Sequence, residues 1–392
     1  MLTPTVGDLF NYAAEKIQRV AQESWPGTPV RLGVHVPSVT GYVRSVSVGD
    51  RTLYAKYSFL GVSLVSVLRG GCGDWPAVRA AQAAYIATPG SLLERESAQL
   101  RLLRRQRLSV CAVAGYRTGV LFTEPVAGPT LAEMLVKSPD RTADLLARSM
   151  AELGRIQGPV MADRVEGMRI PERSIAGTFG RKFNGISGHT YLSRLGEDRM
   201  ESAEARDQIR KVLITVVQRL VRLRAFPQAR CPVVSYGDLK PEHVLFPEGP
   251  EETPTYIDPG LARGHGCSDT AKLISRTALN LLTTAPQHAT AVAVAAGLHT
   301  FVHDQLRSVE RGMHTAWLRQ LLVTWLMDTV NILTTYLSAP APLPLPEHAT
   351  AVINRAATVC VLLDRTSAAL AAGTPARAVL RLALSDIAKA AR

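Results

Sequence analysis

Three side chains able to hold a metal ion and move a proton lie within one short stretch. They are Asp238, His243 and Asp258, in YGDLKPEHVLFPEGPEETPTYIDPGLA at 236–262. Val233-Val234-Ser235 is β-prone and runs into Gly237-Asp238, a turn dipeptide, so Asp238 sits on a loop where its carboxylate can face a cleft. His243 comes five residues later, before the apolar strand Val244-Leu245-Phe246. Pro247 to Pro254 is turn and charge, a hairpin tip. Thr255-Tyr256-Ile257 is a third strand, and Asp258 ends it ahead of Pro259-Gly260. Carboxylates with few protein partners are the usual way to hold Mg²⁺ beside a nucleotide phosphate. Aspartates often merely cap turns, but that reading does not account for two of them at strand ends around one hairpin.

The elements that must position these groups precede them. Asp8 to Gln22 reads as a helix with Leu9, Ala13, Ile17 and Val20 on one face, a docking stripe. Val30–Val36, Tyr42–Val48 and Thr52–Tyr57 read as three antiparallel strands. The first turn between them carries Ser38, Thr40 and Gly41, and the third strand carries Lys56. Residues 59–90 offer a flap, with a short helix from Trp75 to Ile86. Ser91 to Arg105 is an amphipathic helix bearing Glu94 and Glu96. Val110–Ala114 and Gly119–Thr123 read as strands, followed by Glu124-Pro125-Val126, whose proline fixes φ. Thr130 is placed to N-cap the next helix. Thereafter the chain reads mostly as helix: Thr142 to Ile156, Ala205 to Ala225, then 268–284, 287–308, 312–337, 347–372 and 374–391. Residues 158–200 read as irregular, and APAPLPLP at 339–346 as a stiff connector.

The segment GDLKPEHVLF, followed by a turn and YIDPG, resembles the catalytic loop, hairpin and metal loop of protein-kinase-like phosphotransferases. It is most similar to the aminoglycoside and macrolide phosphotransferase group. The resemblance implies an α+β, bilobal protein-kinase-like fold, with a small antiparallel β N-lobe and a mostly helical C-lobe. It would divide the chain into an N-terminal helix (1–28), an N-lobe (29–127) and a C-lobe (128–392). By the same resemblance Asp238 is the catalytic base or hydroxyl-orienting carboxylate, and Lys240 the phosphate-contacting lysine. Asp258 and His243 are the Mg²⁺ ligands. Lys56 pairs the α- and β-phosphates and is itself paired by Glu96, with Glu94 as runner-up. Ser38, Thr40 and Gly41 cradle phosphate, and the backbone at Glu124 and Val126 meets the purine. Asp269 is assigned to capping the helix after the metal loop and fixing that loop. The chain departs from the pattern at Tyr236 (usually His), His243 (usually Asn) and Pro259 (Phe in DFG).

The implied reaction is transfer of the γ-phosphate of ATP, with GTP as an alternative, to a hydroxyl of a small molecule such as an antibiotic, a sugar or a natural-product intermediate. Two rivals stand beside it. A protein kinase fits GDLKPEH, but no APE motif follows. A pseudokinase fits the three departures. Composition sets outer bounds: 392 residues, 46% hydrophobic, with 45 Lys plus Arg against 33 Asp plus Glu, a net +12. Anionic partners are favoured, but the basic residues are scattered without aromatic interleaving, which argues against nucleic acid. Many arginines in 158–207 disfavour a polycationic acceptor. Cys72, Cys111, Cys231, Cys267 and Cys360 show no metal spacing and read as reduced thiols of a cytoplasmic protein. No uncharged apolar run reaches membrane length, so no membrane partner is expected.

Overall fold

The computed structural model describes residues 3–225 and 233–391, apart from the side chains of 186 and 187; Cys231 lies outside the described residues. Helix α1 (Val6–Ser24) begins in a capping box between Thr5 and Asp8 and buries Leu9, Ala13, Ile17, Val20 and Ala21. Strands β1 (Val30–Val36), β2 (Tyr42–Val48) and β3 (Arg51–Tyr57) follow. Next come helices α2 (Leu64–Leu68), α3 (Trp75–Ala87) and α4 (Leu92–Arg105), then β4 (Val113–Arg117) and β5 (Val120–Thr123). The five strands form one antiparallel sheet ordered β1-β2-β3-β5-β4. The apolar stripe of α1, the alternate residues Val46, Val48, Leu53, Ala55 and Tyr57, and Leu64, Val67 and Val78 share one core.

The second lobe is helical: α5 (Leu131–Lys137), α6 (Thr142–Ala151), α7 (Pro159–Glu166), α8 (Ile175–Lys182), α9 (Gly185–Ser193) and α10 (Ala203–Leu223). Two small antiparallel pairs interrupt it. Strand β6 (Val233–Ser235) pairs with β9 (Ala262–Gly264), and β7 (Val244–Leu245) with β8 (Thr255–Tyr256). Helices α11 (Ser268–Thr284), α12 (His288–Arg307), α13 (His314–Leu337), α14 (Glu347–Asn354), α15 (Ala356–Ala371) and α16 (Ala376–Ala390) complete it. Helix α13 is buried on most of its length, as its apolar sequence requires. A small antiparallel sheet lobe above a helical lobe is the α+β bilobal, protein-kinase-like architecture that the sequence implies. No helix among the described residues is long and apolar enough to cross a membrane.

Several expectations need correction. The stretch 59–90 is no loose flap. Leu64, Val65, Val67, Leu68 and Val78 enter the sheet-lobe core. Gln82, fully buried, donates to Tyr57 Oη and the Ser58 carbonyl and accepts from Leu60 N–H. The strand expected at Val110–Ala114 forms at Val113–Arg117, because the residues before it pair with the other lobe. Val110 bridges Tyr256, and Cys111 N–H donates to the Tyr256 carbonyl at 3.0 Å. Residues 158–200 fold into three short α-helices and the helical turn Pro171–Arg173. Each helix buries only a few apolar side chains, such as Ile175 and Phe179, too few to give a readable period. The helix expected over 347–372 breaks at Arg355, whose guanidinium binds the carbonyls of Leu282 and Ala390. The proline-rich 339–346 is not a free spacer. It turns back at Pro340–Leu343, and Ala339 and Leu343 enter the sheet-lobe core. Arg199 binds the carbonyls of Ala339, Pro340 and Leu343.

Candidate active site

Lys56 lies in β3 opposite Val43 of β2 and Leu121 of β5, so the sheet register fixes its height above the cleft. Its Nζ lies 2.7 Å from Glu96 Oε1 and in direct contact with Asp258 Oδ1. Burial would strip its proton, but Asp258 and Glu96 outweigh that and hold its pKa well above the usual lysine range. Glu96 is therefore the partner. Glu94 instead accepts from Gly90 N–H at the start of α4. The second Glu96 oxygen is bound by Arg173, which also donates to the Pro259 carbonyl. Arg173 thus braces α4 against the metal loop. Neighbouring contacts reinforce it: Arg95 binds Glu172 at 2.6 Å, and Gln99 bonds Met168 and both backbone groups of Leu261.

The turn residues Ser38 and Thr40 hold each other, hydroxyl to hydroxyl, at 3.1 Å, and Thr40 N–H donates to Ser38 Oγ. Gly41 faces the Tyr57 carbonyl, one residue from Lys56. At the interlobe crossing, Glu124 N–H is committed to the Ala112 carbonyl at 2.9 Å, and its side chain pairs with Arg51. What Glu124 can offer a purine is its carbonyl. Two residues on, Val126 packs against an apolar cluster of Leu93, Leu100, Cys111 and Leu121.

Asp238 follows Gly237, which adopts φ 85°. A Cβ at 237 would collide with the Gly260 carbonyl oxygen, while Gly260 N–H donates to the Tyr236 carbonyl at 2.8 Å. The catalytic-type and metal-type loops thus touch backbone to backbone. Gly237→Ala is expected to destabilise the protein by about 3 kcal/mol or more, from positive φ and overpacking together; urea unfolding measures it. Asp269 does not cap its helix, whose N-cap is Cys267. It accepts from Ser235 Oγ, Tyr236 N–H and Gly237 N–H at 2.7–2.9 Å, pinning the loop from below. Tyr236, standing where the family pattern has His, donates its hydroxyl to the Ile257 carbonyl and packs on Tyr256. That replacement ties the two loops together.

The Asp238 carboxylate is 3.1 Å from Lys240 Nζ and 3.3 Å from Lys272 Nζ. Burial would raise its pKa, but Lys240, Lys272 and His243 together hold it well below the usual carboxylate range. His243 Nδ1 lies 3.1 Å from the Asp238 backbone carbonyl, which selects the tautomer protonated there and leaves an Nε2 lone pair. That Nε2 is 3.7 Å from Asp258 Oδ2. Asp258 sits at φ 55°, a strained conformation that aspartate tolerates better than most residues. One carboxylate and one neutral imidazole make a sparse donor set. It suits a Mg²⁺ ion that keeps waters and takes further oxygens from phosphates, and it does not form an all-protein cage. Consistently, no group of three or more His, Cys, Asp or Glu among the described residues is placed to hold a metal ion.

Burial, aided by Lys240 and opposed by Asp258 and Asp238, pulls the His243 imidazole from its ordinary 6.5 down to about 3. The unfolded chain therefore takes up this proton first. In the metal-free protein, stability should fall as pH drops from about 7 to about 3, and His243→Asn should flatten that slope. Urea midpoints across the range measure it.

The sequence-assigned groups Lys56, Glu96, Asp238, Lys240, His243 and Asp258 are thus joined side chain to side chain in one cluster. Arg173, Lys272 and Asp328 were not anticipated. No protein-family model and no curated protein matches this chain. Solved structures are similar to it at low identity. An aminoglycoside-3'-phosphotransferase of type VIII is 19% identical, with 81% of this chain and 99% of that one covered and a TM-score of 0.46. An ethanolamine kinase from Plasmodium vivax is 12% identical, with coverages of 86% and 83% and a TM-score of 0.47. A choline kinase from Streptococcus pneumoniae is 15% identical, with coverages of 89% and 99% and a TM-score of 0.44.

Proposed function

We propose that this chain is an ATP-dependent phosphotransferase acting on a hydroxyl of a small molecule. One observation carries the reading: Lys56 sits between Glu96 and Asp258, and the His243 ring stands between Asp258 and Asp238, 3.7 Å from the one and 3.6 Å from the other. Phosphoryl transfer needs little covalent help and much positioning of charge. Lys56 would bind the α- and β-phosphates, and Lys240 the transferring group. Asp258 and His243 would hold Mg²⁺, which when bound offsets the charge of the phosphate oxygens. Asp238 would orient the acceptor hydroxyl and take its proton late. Glu124 and Val126 would meet the purine, and the Ser38–Gly41 turn would close over the phosphates.

Labelled γ-phosphate transfer from ATP and from GTP to a panel of hydroxyl-bearing antibiotics, sugars and anionic metabolites tests this. Mg²⁺-dependent product lost in Asp238→Ala supports it. Tight nucleotide binding with no transfer to any acceptor or to water supports the second reading, a pseudokinase. That reading draws on one observation: Lys56 already occupies an Asp258 oxygen, which a metal-loaded site would have to share.

A further inference from the structure

Helix α11 reaches Asp238 twice. Asp269 holds the loop backbone beneath it, as described. Lys272, three residues on and so on the same helical face, lies 3.3 Å from Asp238 Oδ1 and 2.9 Å from Asp328 Oδ1. Arg276, one turn further, donates Nε to Asp328 Oδ2 at 2.9 Å. Asp328 comes from the middle of α13. Lys272, Arg276 and Asp328 are 5%, 9% and 1% exposed. Buried ion pairs generally give no more stability than well-packed apolar side chains of similar volume. Stability is therefore a poor reason for three charges at this place. The network meets the cleft at Asp238.

We infer that Lys272 is a positioning residue for the proposed transfer, clamping the Asp238 carboxylate from the helical lobe with Asp328 and Arg276 as its anchor. Lys240 and His243 approach Asp238 Oδ2, at 3.1 and 3.6 Å, while Lys272 approaches Oδ1. Rotation of the carboxylate is resisted at both oxygens, which fixes the direction it offers to an acceptor hydroxyl. The inference rests on the phosphotransferase reading.

Acceptor-independent ATP hydrolysis, with water replacing the acceptor, tests it in the wild type, Lys272→Met, Lys272→Arg and the triple variant Lys272→Met/Arg276→Met/Asp328→Leu. Misplacement of a catalytic group by an ångström can lower rates about 100-fold. Lys272→Met should lose kcat on that scale with KM for ATP unchanged, and Lys272→Arg should recover part of it. The triple variant should melt at or above the wild-type temperature and hydrolyse as slowly as Lys272→Met. A folded Lys272→Met or triple variant with wild-type kcat overturns the inference. If the wild type binds ATP but transfers phosphate neither to water nor to any acceptor of the panel, the phosphotransferase reading fails instead. A urea double-mutant cycle between Lys272→Met and Asp238→Asn then decides the clamp, and zero coupling overturns it.

Discussion

Asp238→Asn is expected to lower phosphoryl transfer about 10²–10⁴-fold while nucleotide affinity and fold persist. Asparagine keeps the size of the side chain and can still accept from Lys240 or Lys272. It cannot take a proton. The wild-type carboxylate is held well below its usual pKa, because Lys240, Lys272 and His243 outweigh its burial. It is therefore ionised throughout the physiological range and is a weak base. In the proposed reaction it would aim the hydroxyl and receive the proton once the oxygen has begun to bond phosphorus. The effect should fall on kcat, with KM for nucleotide little changed. A loss of less than tenfold would remove Asp238 from that role.

Glu96→Ala is expected to cost about 3–5 kcal/mol of stability, the usual result of removing one partner from a buried ion pair. Glu96 is fully buried, with one oxygen on Lys56 at 2.7 Å and the other on Arg173. Its loss removes the carboxylate from Arg173 and leaves Lys56 with Asp258 alone, and both cations are largely buried. It also loosens the brace from α4 to Pro259, so activity should fall with stability. Glu96→Gln keeps acceptor and shape but not the charge, and should lie between. Urea unfolding of the three proteins measures this. An alanine variant as stable as wild type would show that the Lys56–Glu96–Arg173 chain does not hold the two lobes together.

What the sequence showed and what it hid follow from distance along the chain. Asp238, His243 and Asp258 lie within one stretch because a loop, a hairpin and a second loop form a local unit. The strand of Lys56 and the helix of Glu96 were readable from their periods, whereas the pairing of the two residues was implied by the family resemblance. Arg173 was not readable, since it lies on a short helical turn whose partners Glu96 and Pro259 are distant in sequence. Lys272 and Asp328 form a long-range pair between two helices, and no local pattern couples them. One signal was present: a lone aspartate inside an apolar helix must be paired when buried. Asp328 in α13 carries that signal without naming its partner. The β4 shift has the same origin. Pairing of Val110 and Cys111 with Tyr256 joins the two lobes, and propensity cannot register a partner so far away.

The central claim, a Mg²⁺–nucleotide site built on Asp258 in this cleft, is tested most directly by melting temperature. Wild type and Asp258→Ala are compared with ATP, with and without Mg²⁺. Ligand at about 100 times its Kd adds about 2.7 kcal/mol to folding stability. The account predicts a clear upward shift in wild type that requires Mg²⁺ and is absent in Asp258→Ala. No shift with ATP or GTP, or an equal shift in the variant, would contradict it.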